Sequence, residues 1–264
     1  MKRGILAIAL ASVGVAAHAV DFRVSITNMA PNNGTYLTPM WFGFHDGSFD
    51  TFSVGSAASM GLERIAEDGN PSVIGADFMA SGAGSGSGVL SGIGPIAPGQ
   101  STSMVITIDE NDPRSNYFSF LSMVIPSNDA FIGNENPLAH RVINENGQFV
   151  GADFIVLGSQ VMDAGTEVND EIPMNTAFLG QMMPDTGTPE GGVVGFHQGF
   201  MPGGNILGNP MFSGADFTAQ DYQVARITVE AVPEPATMAI IGLAGAALAA
   251  RRRKKSIVET NSTC

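Results

Sequence analysis

Residues 21–28 (DFRVSITN) alternate apolar and polar, with Phe22, Val24 and Ile26 on one face and Arg23, Ser25 and Thr27 on the other. A period of two predicts a half-buried strand. Residues 37–44 (LTPMWFGF) are apolar except where Pro39 interrupts them, and a His45-Asp46-Gly47-Ser48 turn follows. Ala57, Met60, Leu62 and Ile65 predict a helix over 56–68, stopped by Asn70-Pro71. Residues 80–99 are rich in Gly and Ser and predict a loop. Residues 101–108 (STSMVITI) and 117–125 (YFSFLSMVI) predict two firm strands, the second apolar enough to be central. Weaker strands are expected over 139–143, 149–157 and 176–179, a second glycine-rich loop over 191–209, and a final alternating strand over 223–230 (QVARITVE). Strands at this spacing, with turn clusters between them, predict an all-β antiparallel sandwich with long Gly-rich loops.

The two ends follow other rules. Lys2 and Arg3, an apolar stretch from Ile5 to Val15, and Ala17-His18-Ala19 read as a signal peptide over 1–19, cleaved before Val20. At the far end, Pro233-Glu234-Pro235 precedes an apolar stretch over 236–250 and the cluster Arg251-Arg252-Arg253-Lys254-Lys255. Fifteen helical residues span about 22 Å, short of the ~30 Å hydrocarbon core, so basic side chains must snorkel if the segment anchors in a membrane. The basic cluster predicts a cytoplasmic end, with the body on the outer side. The expected organisation is a leader (1–19), one domain (20–231), a terminal signal (232–255) and a tail (256–264).

Charge then narrows the function. Between the two ends stand five Arg, no Lys and 23 carboxylates, a net charge of −18. Such a surface repels phosphate backbones, which excludes nucleic acid as a partner, and attracts cations. The one cysteine, Cys264, is the last residue, so the body has neither a disulfide nor a thiol nucleophile. No G-x-S-x-G elbow occurs, and His45, His140 and His197 lack metal-ligand spacing. His45 and His197 read as turn residues, and Trp41, the only tryptophan, as core rather than a sugar platform.

Two short segments carry candidate chemistry: residues 126–133 (PSNDAFIG), directly after the central strand, and Asp163-Ala164-Gly165-Thr166-Glu167. Carboxylates at i and i+4 meet one ion when small residues let the loop curl back, and calcium takes six to eight oxygens.

These segments resemble the spondin N-terminal domain, whose central strand ends in a Pro-Ser-Pro-Asp-Trp-Phe-Val-Gly pattern and which later carries Asp-Ala-Gly-Thr-Asp-Ser-Gly. The likeness extends to Ala225-Arg226-Ile227-Thr228 and to the opening strand, over residues 21–230. It implies a C2-like β-sandwich of matrix and adhesion proteins that binds one Ca2+, with Asp129, Asp163 and Glu167 as the ligands. Asn128, Ala130, Glu167 and Val168-Asn169 depart from the family pattern, and the animal domain's cysteines are absent. The ordered Pro-Glu-Pro, short apolar stretch and basic cluster resemble the PEP-CTERM sorting signal of Gram-negative bacteria. That resemblance implies processing by an exosortase, a transient membrane-anchored intermediate held through 236–250, and delivery to the cell surface or extracellular matrix. The tail after Lys255 is longer than such proteins usually carry. The combined expectation is an exported, non-catalytic adhesion or biofilm matrix protein, with exopolysaccharide or surface proteins as partners. The alternatives are a calcium-dependent carbohydrate-binding module and a secreted hydrolase.

Overall fold

In chain order the elements are β1 (Ala19–Asn28), β2 (Tyr36–Leu37), β3 (Met40–His45), α1 (Met60–Asp68), α2 (Ser72–Ser81), β4 (Gly84–Leu90) and β5 (Ser101–Asp109). After them come β6 (Tyr117–Ile125), β7 (Ala130–Gly133), β8 (Ala152–Leu157), β9 (Met162–Asp163), β10 (Gly195–Phe196) and β11 (Gln223–Ala231). The structure is a computed structural model that describes residues 19–233. All of the expected leader but Ala19, and the expected terminal signal from Glu234 on, lie outside the described residues. Among the described residues no helix is long and apolar enough to cross a membrane.

Two antiparallel sheets form the sandwich. One has the order β5-β1-β11-β8, and the other runs β10-β9-β7-β6-β3-β4 with β2 also paired to β6. The alternation of β1 decides which side faces in: Phe22, Val24 and Ile26 are fully buried, and β11 presents Val224, Ile227 and Val229 beside them. They meet Phe42, Phe44, Phe118, Phe120 and Val124 from the facing sheet in one core.

The second sheet is buried on both faces. Its outer face carries Trp41, Leu121, Phe131 and Met162 and is covered by Leu62, Ile65 and Ala66 of α1 and Ile74 and Phe78 of α2. This third layer explains why β6 is buried along nearly its whole length and reads as a continuous apolar run. Trp41 packs against Phe49 and Phe78 in this layer and is 1% exposed, as expected of a core residue.

Several local expectations give way to tertiary context. α1 starts at Met60, where Ser59 Oγ accepts from Leu62 N at 3.2 Å, and ends on the left-handed Gly69. Pro71, expected only to stop a helix, also precedes the first residue of α2, which the sequence did not announce because its one buried pair, Ile74 and Phe78, sits among Ser, Gly and Ala. The expected loop over 80–99 contains β4. Its Gly84 lies under Phe78 of α2, Gly86 under Ile106 and Ile108, and Gly88 under Phe42 and Met104, so the missing Cβ atoms let α2 and the facing sheet approach β4. Residues 139–143 and 176–179 are not strands and contribute only isolated bridges, Tyr117 to Arg141, Ile143 to Phe149 and Ser127 to Ala177.

His45, expected in a turn, is the fully buried end of β3. Gly47 N donates to its Nδ1 at 3.0 Å, so the proton sits on Nε2 and points to Ser119 Oγ at 2.9 Å. His140 stacks on Phe154 at 3.7 Å and 9°. Burial pushes both imidazoles down to about 4. A base depressed in the fold contributes stability above its unfolded pKa, which is lost as pH falls from about 6.5 through the folded value. His140→Phe keeps the stacked ring and removes the titration. Its melting temperature relative to the unmutated protein is expected to climb as pH is lowered from 7 to 4, as read by thermal denaturation across that range.

Candidate functional site

β6 leads through Ser127 and Asn128 to Asp129, immediately before the short strand β7. β7 pairs with β9 in the register Ala130 to Asp163, which sets Asp129 beside the Asp163-Ala164-Gly165 turn. That turn is closed by Gly165 N donating to Asp163 Oδ1 at 2.7 Å. Gly165 has φ +67°, and a Cβ there would lie 2.6 Å from Val193 O, so no other residue fits. The chain then runs alongside 187–192: Gly192 N bonds Gly165 O at 2.8 Å, Glu190 N bonds Thr166 O at 2.9 Å, and Val168 N bonds Thr188 O at 2.8 Å.

Asp129 is fully buried. Its Oδ2 accepts from Thr166 N at 2.8 Å, Glu167 N at 3.1 Å and Thr166 Oγ1 at 3.2 Å. Its Oδ1 is buried without a partner. Asp163 Oδ2 accepts from Asn169 Nδ2 at 2.6 Å, and Asn169 Oδ1 faces His197 Nε2 at 3.1 Å. Because Gly199 N donates to His197 Nδ1 at 3.0 Å, the imidazole proton sits on Nε2 and is donated to Asn169. Burial lowers the pKa of His197 and keeps it neutral in this relay. His197, too, is a buried positioning residue and not a turn residue.

Asp129, Asp163 and Glu190 bring carboxylate oxygens within 4.8 Å of one another. None of the ion pairs among the described residues includes any of the three. Burial, and then the Asp163 charge, pushes Asp129 up to about 6. An uncompensated cluster with one buried, unpartnered oxygen fits a hard divalent cation.

Of the three residues singled out in the sequence, Asp129 and Asp163 come together in this group. Glu167 offers Asp129 its backbone N–H, while its carboxylate leaves in another direction: Oε1 accepts from Gly187 N at 2.9 Å and Oε2 is buried without a partner. Glu190 supplies the third carboxylate instead. No motif marks it. It arrives through the Glu167–Pro189 bridge and the backbone bonds between 165–168 and 188–192. Nearby Glu171 is buried too, but its oxygens accept from Met201 N at 2.6 Å and Ile206 N at 3.1 Å and it stands outside the clustered carboxylates, so it pins a loop.

An antiparallel β-sandwich with an acidic cluster where one sheet meets its loops is the class of protein defined so far. The Spondin_N family matches residues 27–170 and the PEP-CTERM protein-sorting motif matches residues 231–254. The first match covers more than half of the 264 residues, and the chain belongs to the Spondin_N family. The second marks an exported protein with a C-terminal sorting signal, which implies processing by an exosortase. No curated protein matches the chain. The family match takes in Asp129, Asp163 and Glu167 and stops before Glu190.

Gly165→Ala forces a left-handed β-carbon against Val193. It is expected to cost about 2 kcal/mol or more, read as a lower urea midpoint, since left-handed strain alone is worth roughly 1–2 kcal/mol.

Proposed function

We propose that this exported protein is a non-catalytic adhesion or biofilm matrix component whose sandwich is locked by one calcium ion held by Asp129, Asp163 and Glu190. The observation that carries the reading is the buried, unpartnered Oδ1 of Asp129, a residue whose carboxylate lies within 4.8 Å of two others. The donor set favours calcium: every ligand is oxygen, there is no cysteine in the body, and His197 has both ring nitrogens engaged in holding Asn169 and Gly199. When bound, the ion would supply the positive charge that the cluster lacks and hold the 187–192 segment against the β7–β9 edge. Asn169 and His197 keep Asp163 aimed, and the Thr166 and Glu167 N–H groups keep Asp129 aimed.

A non-catalytic role is favoured because both oxygens of Asp163 and Oδ2 of Asp129 are held by backbone and amide donors, which positions them as ligands rather than as mobile acids or bases. A carbohydrate-binding role has one specific observation behind it. A cleft of about 380 Å³ between the two sheets is lined by Phe120, His140, Phe154 and Phe196 together with Asn134 and Gln160.

Calcium titrated into chelator-treated protein is expected to give binding heat and to raise the melting temperature, by about 2.7 kcal/mol of stability at a hundredfold excess over Kd. Asp163→Ala and Glu190→Ala should each remove the share of both signals that comes from this cluster. Absence of heat and of thermal shift in the unmutated protein would remove the metal reading. Retention on immobilised polysaccharide, lost on chelation, would move the role to the carbohydrate module.

A further inference from the structure

A second acidic pair lies across Thr166 from the cluster of Asp129, Asp163 and Glu190. Glu67, on α1, and Glu167 line one cleft of about 340 Å³ with Glu63, Asp185 and Gly187. The two are only 4% and 3% exposed, and each keeps one carboxylate oxygen, Oε2, buried without any hydrogen-bond partner. Among the described residues Arg64 is the one cation beside Glu67, and its guanidinium is committed elsewhere: to Glu63 at 2.7 Å, Asp68 at 3.2 Å and Asp185 at 3.3 Å. Glu63, Asp68 and Asp185 therefore take up the arginine, and the two most buried carboxylates, Glu67 and Glu167, are left unpaired. Burying such a pair without a counter-charge is costly, and either a shared proton or a bound cation removes the cost.

We propose that Glu67 and Glu167 form a second divalent-cation site, joining helix α1 to the 165–192 loop. The site is open on the cleft side, where water completes the shell that two carboxylates begin. Glu167 is held ready for it by Gly187 N on its other oxygen. The site does not require the first one, because Glu67 and the Glu167 carboxylate are not part of the cluster of Asp129, Asp163 and Glu190. The two would still reinforce each other, since the Thr166-Glu167 backbone that grips Asp129 is the segment from which Glu167 projects.

The test is an ion count on full-length protein equilibrated with CaCl2, by calorimetric stoichiometry and by elemental analysis after desalting, with far-UV circular dichroism to verify the fold. Two ions per chain are expected. Glu67→Gln should leave one, with Glu167→Gln as the check should the first variant misfold. Asp163→Asn should also leave one, and Glu67→Gln combined with Asp163→Asn none. A single ion that Glu67→Gln does not displace, or two ions that survive Glu67→Gln, overturns the proposal and assigns the pair a shared proton. A single ion lost in Glu67→Gln and kept in Asp163→Asn would sustain this site while removing the first.

Discussion

Asp129 is the residue on which the arrangement turns. A carboxylate placed at the start of a four-residue strand, with no surface to reach, has to be satisfied from within. One oxygen is: three donors from Thr166 and Glu167 converge on it and thereby fix the path of the loop after β9. The other oxygen has no donor at all. A saturated carboxylate such as Glu171 is a structural pin. A half-saturated one beside two further acids stores an electrostatic cost that only a cation or a proton relieves. Burial drives Asp129 to about 6 and Glu167 to about 8, which is the same cost expressed as proton affinity.

The layers around it explain why Asp129 cannot escape to water. β6 is packed on one face by the opposite sheet and on the other by α1 and α2, so the residues just after it emerge in the interior. β7 begins at the next residue and pairs at once with β9, Ala130 against Asp163, which keeps Asp129 inside. The helices that cover the second sheet also deliver Glu67 to the far side of Thr166. Both acidic groups thus follow from one decision of the fold, which is to bury a sheet on two faces.

Much of this was visible in the chain. β1, β5 and β11 are strands where the alternation places them, and β6 where its continuous apolar run does, each between clear turns. β4 was hidden, since glycine at every second position removes the side chains from which a period is read, yet those gaps are what the packing requires. α2 was hidden because one buried pair is too little for a helical stripe. Asp129 and Asp163 were legible as motif residues close to a central strand. The direction of the Glu167 carboxylate was not, because it depends on Gly187 and Glu67, which are distant in sequence. Glu190 was invisible for the same reason: its position comes from a backbone ladder between two loops.

The departures from the family pattern carry part of the local chemistry. Asn169 stands where the pattern has glycine, and its amide bridges His197 to Asp163. The longer side chain at Glu167 lets the carboxylate reach Gly187, away from Asp163. The amide of Asn169 thus aims one carboxylate of the cluster, while the Glu167 carboxylate points to Gly187 and Glu190 stands as the third acid beside Asp129 and Asp163. A body with 23 acids, five arginines and no disulfide ties its loops down through backbone ladders and pins such as Glu171, and its surplus negative charge attracts cations to the carboxylates that those ties leave unpaired.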